Sequence, residues 1–363
     1  MITSDRLKAL WHSFRYCRVP KNTAGIDKIT RILAASRLCV IPMTIYSVTI
    51  GALLALNTTG KINYTLYFLI LTGFTLSHLL DNLVNDYYDF KRKIDNPGYF
   101  RALYGPHPFI DSILTTRDLK LVVLTVGLYD ALLTTYLALT TSMWIGILAL
   151  IGALVILTYA GIGFDVKRTG LGEILVAVVW GPVMIGGTIL ALTGGEHPVH
   201  LLCIYTPYSL AVTLVLIGKH MDKYPHDKEK NINTLPVKLG PGKTCVLSVA
   251  LALTLPPASF IILYHYLQQP ATAITLLTLL TVYPAVKILA KPKPEEPPEK
   301  WTVWPLWYVA ASYAVMDSLG RTTITALLAT AIYGSHPVIT SIILAIEAMW
   351  ETIVAYSLNK TIV

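Results

Sequence analysis

Four carboxylates fall between positions 81 and 95, Asp81, Asp86, Asp89 and Asp95, and the amide of Asn85 stands among them. At about 100° per residue, Asp81, Asn85 and Asp89 project from one stripe of a helix, and Asp86 stands beside Asp89. Hard oxygen donors arranged in this way suit Mg²⁺ held jointly with substrate phosphates. At the end of an apolar helix such acids are costly unless they meet water or a cation. Entry into water accounts well for a single Asp and poorly for a set, particularly because a second acidic group follows at Asp222 and Asp227, with Glu229 as a substitute for either. Asp222 and Asp227 are five apart and would diverge by about 140° on a continuous helix. Pro225 lies between them and should break it, so a turn is expected to bring both carboxylates to one site. The expected metal set is Asn85, Asp86, Asp89, Asp222 and Asp227, with Asp95 completing the catalytic acids.

Cations accompany each acidic group. Lys91, Arg92 and Lys93 follow the first; Lys223, Lys228 and Lys230 accompany the second; Lys167 and Arg168 lie between, in a short loop closed by Gly170 and Gly172. A helix N-terminus follows that loop and is itself a favourable anion site. A polyanion would thus be held from several sides. Arg37 is placed within the first apolar run, where snorkelling and substrate binding both account for a guanidinium. Tyr87, Tyr88, Tyr159 and Trp180 can stabilise a carbocation through their ring faces, and the same residues suit an interfacial aromatic belt.

The elements that must position these residues are apolar. The chain is 54% hydrophobic and 14% charged, with mean hydropathy +0.58, against roughly 25% charged in soluble domains. Runs long enough to span a bilayer, about 20 residues each, cover 33–56, 64–85, 119–140, 143–163, 173–193, 201–219, 244–265 and 271–290. The region 303–357 is less regular. It holds one further span, or two if the stretch containing Glu347 and Glu351 also crosses, which makes nine spans with ten as the alternative. The chain is therefore expected to be an all-α membrane protein of about nine helices. It divides into a basic N-terminal segment (1–32), a transmembrane domain (33–333) and a hydrophobic C-terminal segment (334–363).

The net charge of +8 does not form a nucleic-acid patch. Of 29 Lys and Arg, 22 fall in 1–31 and in the loops 85–118, 164–172, 220–243 and 291–302, whereas the connections 57–63, 141–142, 194–200 and 266–270 hold only Lys61. By the positive-inside rule the N-terminus and the motif-bearing loops are expected in the cytoplasm, with the protein in the plasma membrane. Both long loops follow the second helix of a set of four, a pattern that suggests two four-helix repeats. Cys17, Cys39, Cys203 and Cys245 lack metal-ligand or redox spacing, so neither a disulfide framework nor a zinc site is expected. The first 30 residues lack the pattern of a cleaved signal peptide.

These motifs resemble those of the UbiA-type intramembrane prenyltransferases over nearly the whole chain. Asn85-Asp86-Tyr87-Tyr88-Asp89-Phe90-Lys91 with Asp95 is most similar to the first motif of the 1,4-dihydroxy-2-naphthoate polyprenyltransferases. Tyr159-Ala160-Gly161 with Gly170-Leu171-Gly172-Glu173, and Asp227-Lys228-Glu229 running into Asn233-Thr234-Leu235-Pro236, resemble other parts of that group. Two departures stand out: Lys223 occupies the place of an Asp four before Asp227, and His220 replaces an Asn. The resemblance implies nine helices around a central cavity, Mg²⁺ as cofactor, and a polyprenyl diphosphate donor. It also implies a small aromatic quinone precursor as acceptor, with substrate contacts from Arg37, Asn85, Lys91, Arg92, Tyr159, Lys167, Arg168, Lys223 and Lys228. A prenylated glycerol phosphate or haem acceptor remains an alternative, as does a cation-coupled transporter. The transporter reading fits less well because the acids gather at helix ends and the middle of the bilayer holds few, chiefly Asp130 and Asp317.

Overall fold

A computed structural model describes residues 4–18, 26–196 and 203–362. The connection 194–200, read above as free of Lys and Arg, lies partly outside them. The described residues form no strand. In chain order the helices are α1 Ser4–Tyr16, α2 Lys28–Ala35, α3 Pro42–Thr59, α4 Tyr64–Lys91, α5 Phe100–Tyr104, α6 Thr116–Thr140 and α7 Met143–Tyr159. Then follow α8 Gly172–Leu192, α9 Thr206–Asp222, α10 Tyr224–Glu229, α11 Leu235–Leu239, α12 Pro241–Leu267, α13 Pro270–Leu289, α14 Tyr308–Ile332 and α15 Pro337–Ile362.

Among the described residues seven helices are long and apolar enough to cross a membrane: α4, α6, α8, α12, α13, α15 and the rod Leu38–Thr59 that contains α3; α7 is apolar but shorter. The helices α9 and α14 carry more polar residues and sit where protein, not lipid, surrounds them. The inner group is α3, α8, α9 and α14, joined through Ile50, Leu54, Ile185, Ile189, Tyr208 and Leu319. Close approach of α9 to α14 depends on Gly218, where a Cβ would lie 2.7 Å from Ser312 Oγ and 2.8 Å from the Tyr308 carbonyl. The outer helices α6 and α15 have only 11% of their apolar windows buried, which assigns most of their surface to lipid.

Local chemistry sets the helix ends. The Asn63 side chain caps α4 by accepting from Leu66 N–H at 3.0 Å. Thr115 and Asp118 open α6 with a reciprocal capping box, satisfying donors that a helix start leaves free. Within α8, residues Val179–Gly186 adopt π-helical geometry around Pro182, as expected where proline removes one backbone donor.

Two sequence-based expectations change here. Arg37 is not inside a span: it precedes the rod Leu38–Thr59 in left-handed conformation, φ 63°. Cys17 and Cys39 form a disulfide, with Cα atoms 5.1 Å apart. Packing of α1 against the turn before α3 brings the two cysteines together across 22 positions, which spacing alone does not reveal.

Candidate active site

The helix α4 runs regularly to Lys91, six residues beyond the apolar run, so Asn85 and Asp89 stand one turn apart on the same face. They converge on Lys167. Its Nζ donates to Asn85 Oδ1 at 2.8 Å and to the two Asp89 oxygens at 2.7 and 2.8 Å. Lys167 arrives on a short 3-10 turn in the loop after α7. Arg92 ties that loop to the end of α4 by donating to the carbonyls of Ala160 and Gly161. Gly161 has φ +74°, which favours glycine, and a Cβ there would displace the Arg92 guanidinium from its place against the loop.

Asp86 points elsewhere. Its carboxylate is fully buried and gripped by Arg37 and by Arg101, whose Nε donates at 2.9 Å. Arg101 also donates to the Ala35 and Pro106 carbonyls at 3.1 and 3.0 Å, joining the loop after α4 to the turn before α3. The sequence reading gave Asp86 to a metal. In the structure both of its oxygens are spent on guanidinium groups. Asp95 meets His107, Nε2 to Oδ2 3.0 Å, while Phe109 and Ile110 N–H groups point at Nδ1, which places the ring proton on Nε2. Ligand atoms of Asp86, Asp95 and His107 lie within 4.8 Å of one another.

The second motif divides at Pro225. The helix α9 ends at Asp222 and α10 begins at Tyr224, but the turn separates the two acids instead of joining them. Asp222 accepts from the N–H groups of Trp307, Tyr308 and Val309 at 2.9, 3.2 and 3.0 Å and pairs with Lys293 at 3.1 Å. It caps α14, where its charge suits the free donors and the positive end of the helix dipole. The expectation that it shares a site with Asp227 is thereby corrected. Asp227 accepts from Tyr99 OH at 2.9 Å and pairs with Lys223 at 3.2 Å. Burial disfavours the charged form of Lys223, but Asp227, Tyr99 and Asp89 outweigh it and raise its pKa well above the usual lysine range. Burial likewise raises the Tyr99 pKa, with Lys223 opposing and Asp227 adding to the effect, so the phenol donates to a carboxylate at neutral pH. His220 is bonded to Glu173 at 2.7 Å, behind this group.

The two motifs meet at a narrow crevice lined by Asp89, Lys167, His220, Lys223 and Thr234. Beside it lies a cavity of about 1140 Å³, whose wall is mostly apolar and includes Arg37, Asn85, Lys91 and Tyr159. Lys167 sits 5.7 Å from the Tyr159 ring centroid. Arg168 is exposed and pairs with Asp165 at 3.3 Å; Lys228 is exposed, with its Nζ 5.8 Å from the Tyr224 ring. Arg92 braces the loop. Of the expected cations, Arg37, Lys167 and Lys223 are thus turned inward, Arg168 lines the crevice from an exposed position, and Lys228 is not turned inward. Sequence reasoning missed Arg101, Tyr99, His107 and Lys219. In sequence Arg101 and Lys219 look like any other basic residue beside a positive loop, and Tyr99 and His107 lack a spacing partner.

The model of the UbiA prenyltransferase family matches residues 45–309, and the chain belongs to that family. It is a membrane-embedded prenyltransferase. It is 29% identical over 242 residues to UbiA prenyltransferase domain-containing protein 1 of Danio rerio, covering 65% of this chain and 69% of that one. It is 24% identical over 209 residues to the 1,4-dihydroxy-2-naphthoate octaprenyltransferase of Bacillus subtilis (strain 168), covering 56% and 62%. Among solved structures, a UbiA homolog from Aeropyrum pernix K1 superposes with TM-score 0.58 at 17% identity, covering 78% of this chain and 96% of the other. A UbiA homolog from Archaeoglobus fulgidus bound to GPP and Mg²⁺ superposes with TM-score 0.57 at 13% identity, covering 82% and 99%. These superpositions establish the fold.

Proposed function

We propose that the protein transfers a polyprenyl group from its diphosphate to a small aromatic quinone precursor, with Mg²⁺ as cofactor, at the cytoplasmic side of the plasma membrane. The observation that carries this reading is the pairing of buried acids with lysines at the mouth of an apolar cavity. Three oxygens from Asn85 and Asp89 already surround one cationic group, the Lys167 ammonium. That donor set fits a hard divalent ion. Asp227 supplies the facing carboxylate, and Asp95 lies further along the loop. When bound, Mg²⁺ would neutralise charge on the departing diphosphate.

The chain's own groups would do the rest. Lys167 and Lys223 stand beside the acids they now neutralise and would turn to the diphosphate oxygens as the metal takes over the carboxylates. Donors already aimed at a developing negative charge need little reorganisation. The prenyl tail would occupy the apolar cavity, with Tyr87, Tyr88, Tyr159 and Trp180 in its wall near an allylic cation. Loop charge supports the cytoplasmic orientation. The Bacillus relative is named for a dihydroxynaphthoate acceptor, which supports an aromatic one here.

The test uses purified protein in lipid nanodiscs with radiolabelled geranylgeranyl diphosphate and a panel of acceptors. Mg²⁺-dependent diphosphate release matched by prenylated aromatic product is expected, and chelation should abolish both. Undiminished turnover after exhaustive chelation would refute the metal assignment. Product formed only with a prenylated glycerol phosphate would refute the acceptor.

A further inference from the structure

The end of α1 and the two residues after it, His12–Arg18, run as a strap beside the cavity. Arg18 donates to the carbonyls of Tyr104, at 3.4 Å, and of Trp304. Its own carbonyl accepts from Ser13 Oγ and from the His12 ring, each at 3.1 Å, which folds the strap back on α1. A side chain at Gly105 would run into the Cys17 carbonyl, so the strap lies directly on the turn after α5. Cys17 lines the cavity together with Arg37, Tyr104, Lys120 and Leu306. The strap is therefore part of the cavity wall.

Noncovalent contacts fasten α1 weakly. Of its described side chains only Ala9 and Ser13 are buried, whereas Leu7, Trp11 and Phe14 are exposed. Arg6 pairs with Asp27 at 2.6 Å in a partly exposed setting, where such a pair contributes little. The covalent anchor is the Cys17–Cys39 disulfide. Cys39 stands two residues after Arg37, which donates to Asn82 at 2.9 Å and pairs with Asp86, so the bond ties the strap to the turn that grips α4. Cys203 and Cys245 are free thiols, and a reductant acts on this one bond. Disulfides that face a reducing compartment are mostly transient or redox-sensing.

We propose that His12–Arg18 is a redox-latched strap: the Cys17–Cys39 disulfide holds it over the polar side of the cavity, where it keeps water from the reacting allylic carbon, and reduction releases it. A dithiol supplies both electrons and both protons. One of its sulfurs attacks the bond, its second resolves the mixed disulfide, and the products are the oxidised dithiol and the Cys17 and Cys39 thiols. Once the strap is released, water enters and competes with the acceptor for the allylic carbon. This sealing role rests on the prenyl-transfer reading above, and exposure to cellular dithiols rests on the cytoplasmic orientation proposed there; the latch itself rests on neither.

The experiment compares the full chain in nanodiscs before and after reduction with dithiothreitol. Hydrogen exchange of the α1 amides reads the strap, and the share of geranylgeraniol formed from geranylgeranyl diphosphate, with Mg²⁺ and 1,4-dihydroxy-2-naphthoate present, reads the seal. Freeing a cross-link that spans 22 positions should raise opening of α1 by about a hundredfold, seen as an equal loss of protection there and none in the interior of α14. The geranylgeraniol share should rise by at least about twofold as water gains access. Cys17→Ser should behave as the reduced protein with or without dithiothreitol, which separates loss of the latch from any other action of the reductant. Alkylation of Cys17 and Cys39 before reduction, α1 protection that survives reduction, or a freed α1 with an unchanged geranylgeraniol share would each overturn the proposal. Absence of diphosphate release from both forms would instead strike the prenyl-transfer reading, because hydrogen exchange decides the latch without turnover.

Discussion

The molecule buries charge in two places built on different plans. At the polar end, carboxylates of α4 and of the loop after α9 each meet a lysine or arginine, and the cluster opens into the cavity. Farther along the chain, Arg321 of α14 serves three carboxylates: Asp317 at 3.0 Å, Glu347 at 2.7 Å and Glu351 at 2.5 Å. Hydroxyl groups of Tyr46, Ser318 and Thr281 donate to the remaining oxygens of Asp317 and Glu351. That network links α3, α13, α14 and α15, and none of its charged members lines the cavity. Intramembrane charge therefore does not by itself mark a reaction centre. What separates the two clusters is access: one borders the cavity and the crevice, the other is closed by hydrogen bonds between helices and holds α15 to the bundle.

The sharpest way to test that difference is to substitute one carboxylate or cation in each cluster. Asp89→Asn keeps shape but removes the charge that a metal and Lys167 need, so turnover per folded molecule should fall by about 10³-fold or more, a loss larger than the stability given up with the Lys167 pair can explain. Near-normal turnover would remove Asp89 from the metal site. Asp86→Ala should behave differently, because it strands Arg37 and Arg101; a loss of about 3–5 kcal/mol in stability is expected, read from the unfolding midpoint. Arg321→Met, which strands three acids in a partly exposed setting, should cost about 3 kcal/mol while turnover per folded molecule stays within about twofold of wild type. A large drop in that specific turnover would show that the two clusters are coupled.

A smaller contrast lies within the second motif. Asp222→Asn weakens a helix cap and should cost about 1–2 kcal/mol with turnover per folded molecule little changed, whereas Asp227→Asn should lower turnover per folded molecule as well as stability, because it strands Lys223. Calorimetry and initial rates on the two variants decide between these roles, and a reversed ranking would place Asp222 in the site. Smallest of all is the pH dependence of Lys223. Its folded pKa is raised, so its contribution to stability is fully present below the unfolded value of about 10.4 and is lost only as pH climbs through the folded one. The stability difference between wild type and Lys223→Met should therefore stay constant from about pH 6 to 9; a slope in that window would mean that Lys223 is not held charged.

Much of this could be read without coordinates. Long apolar runs impose helices, since a bilayer leaves backbone groups no other partner, and helical periodicity alone places Asp81, Asn85 and Asp89 on one face of α4. The basic pair after α7 was also legible as a place to look, and Lys167 does turn inward. What periodicity cannot specify is the donor that reaches a given carboxylate from elsewhere in the chain. Asp86 lies one position from Asn85 and finds two arginines, 49 residues upstream and 15 downstream. Asp222 is taken by a helix start 85 residues away, while Asp227, five positions further, meets Tyr99 across 128. Pro225 announced a break, but not that Asp222 before it would cap the start of α14. The same holds for Cys17 and Cys39, and for Lys219, which is an ordinary basic residue in sequence. Among the described residues packing leaves it without a hydrogen bond or ion pair in the wall of a cavity, because a side chain's charge is written locally and its counter-charge is supplied by the fold.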